Sequence, residues 1–184
     1  VCAGVAGQLA EAGNENGAEF LRNLASQLGE LLGMQSAGNG EISEDENIEN
    51  YQNFILDLLQ AEESDSDIAT VIYPMLEERQ HLLNGRFAEI LQQVAENLIA
   101  EYPEAIESIL GVIENLSIDI NQFPLGSRRN NIEIAITGYQ IVLSHQQTGS
   151  EKWAQTQNNL GNAYSDRIKG EKADNLELAI ASYT

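Results

Sequence analysis

Leu, Ile, Val and Phe recur at three- and four-residue intervals along most of this chain and rarely alternate with polar residues. That period is helical. It predicts a short helix over residues 1–11 with Val5 and Leu9 inward. An amphipathic helix over 16–32 follows, with Phe20, Leu21, Leu24, Leu28, Leu31 and Leu32 as its stripe. Gly13-Asn14 turns the chain between them, so residues 1–34 read as an antiparallel hairpin. Residues 35–50, QSAGNGEISEDENIEN, lose the stripe and read as a flexible acidic linker. The stripe resumes over 47–60 with Tyr51, Phe54, Ile55, Leu58 and Leu59.

Ser64-Asp65-Ser66-Asp67 is an N-cap cluster for a helix carrying Ile68, Val71, Ile72, Met75 and Leu76. Pro74 should kink or restart that helix. Asn84-Gly85 marks a break before a helix over 86–101, with Phe87, Ile90, Leu91, Val94 and Leu98 inward. Pro103 suits a first helical position, and the helix after it runs to about Ile120. Residues 51–122 therefore read as a helical bundle. Phe123-Pro124-Leu125-Gly126 is a joint, Ser127 a cap for a helix to His145, and Thr148-Gly149-Ser150 the next turn and cap. Trp153, Gln157, Leu160, Gly161, Tyr164 and Ile168 then share one helical face, and Gly170 supplies a stop. A final helix carries Leu176, Ala179, Ile180 and Tyr183.

That last helix is a second occurrence. GSRRNNIEIAITGYQ, from Gly126, aligns without gaps on GEKADNLELAIASYT, from Gly170, at an offset of 44 residues. Gly, Asn, Glu, Ala, Ile and Tyr recur at 126/170, 131/175, 133/177, 135/179, 136/180 and 139/183. A fixed offset between helical segments marks a repeat array. Leu160-Gly161-x-x-Tyr164 followed by Ala179-Ile180-x-x-Tyr183 resembles the tetratricopeptide repeat. The unit here is longer than that repeat's ~34 residues, with the extra length around RIKGEKADN. The stretch FPLGSRRNNIEIAI…WAQTQNNLGNAYSDRIKGEKADNLELAIASY is similar to long-repeat arrays of large bacterial proteins, especially cyanobacterial ones. Those often end in a caspase-like CHAT peptidase domain.

The resemblance implies an all-α chain: an acidic helical N-terminal domain, then about one and a half tetratricopeptide-like hairpins over 126–184, the start of an α-solenoid. It also implies a groove for an extended peptide, lined by Gln155, Asn158, Asn162 and Ser165. Asn and Gln amides suit that task because each donates to and accepts from peptide backbone. The competing structural reading has Asn159 and Asn162 satisfying neighbouring helices instead. Asn158 stands where some family members place a carboxylate-binding Lys, which argues against capture of a C-terminal carboxylate. Gly161 is the expected close-approach point within the hairpin.

Charge sharpens the division of the chain. The net charge is −20. Residues 1–120 hold 23 acids against Arg22, Arg79 and Arg86, whereas residues 121–184 hold six acids and six bases. The basic footprint of a nucleic-acid or anionic-membrane partner is missing. A solvated helical surface accounts for the acidity. Cys2 is the only cysteine, so no intrachain disulfide forms, and a reducing, cytoplasmic setting fits.

Candidate chemistry is sparse. Cys2, His81 and His145 are the whole thiol and imidazole inventory, and no catalytic signature surrounds them. Glu78-x-x-His81 is half of a di-iron motif with no second half in the sequence. DENIENYQNF and ESDSDIATVIYP lack the Gly of a calcium loop. No phosphate loop is present, and Asn115-Leu116-Ser117 is read as a chance sequon. The expectation is a non-catalytic, cofactor-free, metal-free scaffold or sensor that binds protein or peptide. The sequence reads as a fragment of a larger protein. Any peptidase active site would then lie outside this chain. The rival reading is structural: the acidic domain self-associates and the repeats only extend it, and the apolar stripe of the last helix is a second expected face for self-association.

Overall fold

The computed structural model describes residues 44–64 and 67–183, with side chains from Ile48 onward. The chain divides into two compact units, Val1–Asn47 and Ile48–Thr184. The hairpin expected over 1–34 lies outside the described residues, as does the linker up to Ser43. Among the described residues there are seven α-helices and no strand. They are α1 Glu44–Glu63, α2 Tyr73–Glu78, α3 Gly85–Glu101, α4 Ile106–Gln122, α5 Arg128–His145, α6 Glu151–Asp166 and α7 Lys172–Tyr183. Consecutive helices from α4 to α7 pack antiparallel. The fold class is all-α, as the periodicity predicts.

One boundary differs from the expectation. α1 begins at Glu44, so the last part of the presumed 35–50 linker is helical. The sequence Glu44-Asp45-Glu46 supplies the negative charge that a helix N-terminus favours. The other helix starts follow their caps. Asp67 accepts from the Thr70 amide at 2.8 Å, and a π-type turn over Ile68–Ile72 leads into α2. Pro74 sits in the first turn of α2, where its missing N–H costs nothing, so it restarts the helix. Asn84 caps α3, Ser127 caps α5 and Ser150 caps α6, each accepting from an amide of its first turn. Pro103 opens a short 3-10 turn into α4.

α1 packs on the middle of the bundle. Tyr51, Phe54, Ile55, Leu58 and Leu59 are all buried. The Phe54 ring meets Phe87 of α3 edge-on at 5.9 Å. Asn84 Nδ2 donates to the Tyr51 hydroxyl at 2.7 Å. At the end of α1, the Glu62 carboxyl bonds Asp119 of α4. Asp119 is 4% exposed. Among the described residues neither Glu62 Oε1 nor Asp119 Oδ2 has a donor, and a proton held between the two carboxyls would satisfy both. Burial, then the nearby Asp119 charge, push the Glu62 carboxyl up to about 8.

The α4–α5 and α6–α7 hairpins share one joint. Both helices end in a residue of nearly equal backbone geometry, Phe123 at φ −57°, ψ 121° and Arg167 at φ −59°, ψ 130°. Three residues later, Gly126 and Gly170 take φ +75° and +83°, a region glycine enters without strain. The buried amide of Asn131 donates to the carbonyls of Phe123 and Leu125 at 3.3 and 3.1 Å. Asn175 donates to those of Arg167 and Lys169 at 3.2 and 3.0 Å. Arg128 reaches the Asn121 carbonyl and Lys172 reaches the Ser165 carbonyl, a cation at each preceding helix C-terminus. Each pair of matching residues is 44 apart.

The same offset relates the close approaches. A Cβ on Gly138 of α5 would lie 1.9 Å from Ser117 Oγ of α4. A Cβ on Gly161 of α6 would lie 2.5 Å from the Tyr183 ring of α7. Ser117 matches Gly161 and Gly138 matches Ser182 at the same offset, but the neighbour differs: Gly138 meets Ser117, whereas Gly161 meets the Tyr183 ring. Gly161 is a close-approach point, as expected. Ile132, Ala135, Ile136 and Tyr139 pack with Leu160, Ala163, Tyr164 and Ala179 as the shared core of the two hairpins. Ile168 does not join it. α6 ends at Asp166, the backbone turns extended to form the joint, and Ile168 is exposed.

Candidate protein-binding face

α4 and α6 lie side by side, tied by polar side chains rather than apolar ones. Lys152 Nζ meets Glu107 Oε2 at 2.6 Å. Thr156 Oγ1 and Asn159 Nδ2 both donate to Glu114 Oε1, at 2.8 and 3.2 Å. Lys152, Thr156 and Asn159 recur at four and three residues, so they form the stripe of α6 that faces α4.

Beside that stripe runs the expected amide band. Gln155, Asn158 and Asn162 are exposed and follow spacings of three and four, hence one face. Gln155 and Asn158 make no hydrogen bond with the described residues. Their donors and acceptors all face solvent. Asn162 is engaged, because its Oδ1 accepts from the Tyr183 hydroxyl at 2.7 Å. Ser165 is half-buried, and its carbonyl takes Lys172 at the joint. The band therefore holds two amides with free side chains, one amide turned toward α7, and one helical serine whose carbonyl takes Lys172. Asn159 is committed to Glu114, as the structural reading expects for that residue.

Gly111 stands on the same face, and sequence reasoning did not single it out. It lies between Glu107 and Glu114 on the α4 stripe beside α6, and it matches Gln155 at the offset of 44. It is exposed, and a Cβ there would meet nothing within 4 Å. An uncontacted glycine inside a helix costs ~0.5–1 kcal/mol relative to Ala. Among the described residues no packing calls for a glycine there. A glycine in a helical run with no packing partner is the signal that could have found it.

On the opposite side, α5 is locked to the α6–α7 joint. Arg167 Nε and Nη2 grip the two Glu133 oxygens at 2.7 and 2.8 Å. The guanidinium lies 5.7 Å from the centre of the Tyr164 ring. Hydrogen bonding to Arg167 holds the Glu133 carboxyl below its usual value, and burial only partly opposes this. A cleft of about 430 Å³ at the α4–α5 joint is bordered by Phe123, Leu125, Arg128 and Asp166. Arg128 there is occupied by Asn121 and by Asp166 at 3.4 Å.

Among the described residues no cluster of side chains could hold a metal ion. No three His, Cys, Asp or Glu side chains converge there. Glu78 and His81 are both exposed, and a break after α2 separates them, so the Glu-x-x-His pattern does not present one helical face. Cys2 lies outside the described residues. No described helix is long and apolar enough to cross a membrane. Comparison with protein-family models, with curated proteins and with solved structures finds no match.

Proposed function

We propose that α4–α5 and α6–α7 are successive units of a tetratricopeptide-like array, and that the chain is a non-catalytic scaffold or sensor segment. In this reading it holds an extended peptide or protein strand along the α4–α6 face. The observation that carries it is the pair of unbonded amides, Gln155 and Asn158, beside the open helical glycine Gly111. Amides that spend no hydrogen bonds on their own fold are available to a ligand backbone. The copied joint supports the repeat assignment, because a loop geometry repeated at a fixed offset is what an array requires. By the same resemblance the segment would serve a larger protein, with a C-terminal CHAT peptidase as one context.

The test is NMR mapping of isotope-labelled full chain against a library of unstructured peptides. Binders should shift the side-chain amides of Gln155 and Asn158 first. Replacing both with Ala should weaken binding by roughly tenfold, since each lost hydrogen bond is worth ~0.5–1.5 kcal/mol. The melting temperature should not move. Binders that shift other faces, or a library with no binder, would remove this function. Self-association is the second reading, favoured by the exposed Leu176 and Tyr183 on α7. Sedimentation of the full chain separates the two.

A further inference from the structure

Polar contacts tie α1 to the bundle at three levels, and the third differs in kind from the other two. At the first, the Tyr51 hydroxyl accepts from Asn84 Nδ2. At the second, Arg79 lies over the Phe54 ring at 5.3 Å and meets Asp57 at 3.4 Å. The third, at the end of the helix, sets one acid against another: Glu62 against Asp119 of α4. Glu62 Oε1 and Asp119 Oδ2 are both closed to water. The groups around the pair supply no positive charge. Tyr73 faces Asp119 from α2 and Tyr139 from α5, and burial, with acid charges behind it, raises both hydroxyls. Glu63, the next residue of α1, is raised by burial as well. No cation acts on either Glu62 or Asp119.

We infer that the last turns of α1 are a proton-operated latch, held on α4 while Glu62 and Asp119 share a proton and freed as that proton leaves. Two carboxylates side by side in a covered place cannot both stay charged without a counter-ion. Turning the end of α1 outward brings water to both of them at once. The chain leaves room for that movement. α1 ends at Glu63, and a separate π-type turn over Ile68–Ile72 leads into α2, with Asp67 to Thr70 exposed. The end of α1 can therefore lift without unwinding α2. Leu58 and Leu59, buried beside the latch, oppose the lifting, so loss of the proton shifts a balance between docked and lifted forms. The direction of that shift follows from linkage. Burial and then the Asp119 charge hold the Glu62 carboxyl up to about 8, so docking is fully supported below the ordinary value of 4.5 and weakens as pH rises through 8. This device belongs to α1 and is independent of the peptide-binding reading, which concerns the α4–α6 face.

Pulsed hydrogen exchange on the full chain, at pH 7 and pH 9 and across low urea, tests the latch. Each rate is divided by the intrinsic rate at the same pH. Amides over residues 58–63 should exchange through a local opening of small urea dependence, and their protection should fall about tenfold from pH 7 to pH 9. Glu62→Gln keeps a donor for Asp119 and has no proton to lose, so its protection there should be equal at the two pH values. Three results overturn the inference. One is exchange of residues 58–63 only by global unfolding at both pH values, which means that no local lifting occurs. The second is a local opening with the same protection at pH 7 and pH 9. The third is a fall of the same size in Glu62→Gln, which assigns the pH response to another group.

Discussion

α5 and α7 carry nearly the same residues and end up in different surroundings. Both staple the preceding joint with the same Asn and bury the same Ala. Only α5 is buried on its far side. The local sequence therefore sets the hairpin, and the burial of the outer face depends on the neighbour that stands against it. A residue such as Leu176 occupies the position that is core in α5, without the helix that covers it there.

The joints allow the sharpest test of this comparison. Asn131→Ala leaves the carbonyls of Phe123 and Leu125 without their donor, and the bond to Phe123 is buried. An unsatisfied buried acceptor costs ~1–3 kcal/mol, so the loss should be about 3 kcal/mol. Asn175→Ala breaks the matching bonds where the outer face is open to water. It should cost about half as much and loosen α7 locally. Urea melts of both variants check the ratio. Equal losses would mean that the outer neighbour does not matter.

Next in size are the close approaches. Gly138→Ala forces a methyl into Ser117, which is buried and bonded to the Ile113 carbonyl at 2.6 Å. Overpacking of this kind costs ~1–3 kcal/mol. Gly161→Ala meets only the ring of Tyr183, which is half-exposed and can swing away. That variant should fall within ~0.5 kcal/mol of the parent because Ala also favours the helix. Gly161→Leu is too large for that escape and should cost ~1–3 kcal/mol. Thermal melts of the three variants rank them.

A third difference is electrostatic. The α4 hairpin carries Asp119, and the α6 hairpin carries Ala163 at the matching position. Glu62 is raised in the fold to about 8 from an ordinary 4.5. A raised acid binds its proton more tightly folded than unfolded, so its contribution is complete below the ordinary value and fades as pH rises through 8. Between pH 6 and pH 9 the melting temperature should fall by about 3–5 °C. Glu62→Gln keeps a donor for Asp119 and should flatten that slope. A parent slope that persists in Glu62→Gln places its origin elsewhere.

Smallest is the ion pair. Glu133 is held low by Arg167, so its contribution has the opposite sign: it is present above the ordinary carboxyl range and lost as pH falls through the lowered value. Glu133→Gln should cost about 1 kcal/mol at pH 7, whereas Glu177→Gln should be silent. A double-mutant cycle with Arg167→Gln isolates the pair.

Much of the local structure was legible. Asp67, Ser127 and Ser150 cap as their positions imply, and Pro74 restarts its helix. The offset of 44 was visible between α5 and α7 because Gly, Asn, Ala and Tyr hold special backbone or packing roles there. The match between α4 and α6 was not visible. Of the packing positions, Leu116/Leu160 persists, but Ser117/Gly161 and Ile120/Tyr164 have changed. The Asn131 and Asn175 staples were in the aligned residues, five positions after each Gly, and that spacing was the unused signal. Ile168 misled because it continues the spacing from Tyr164 past the point where the joint needs extended backbone. Of the amide band, exposure of Gln155 and Asn158 follows from helical phase alone. Capture of Asn162 by Tyr183 and of Glu133 by Arg167 joins residues 21 and 34 apart, which periodicity does not encode.

The central claim is that α5 and α7 are equivalent helices separated in stability only by the cover on their outer faces. Native-state hydrogen exchange on the full chain at pH 6.5, across low urea, measures this directly. The account expects the most protected α5 amides to exchange only by global unfolding, and the α7 amides to exchange by a separate opening with a lower free energy and a smaller urea dependence. If α7 merges with α5 in one global isotherm, the exposed face of α7 has no energetic consequence and the account is wrong.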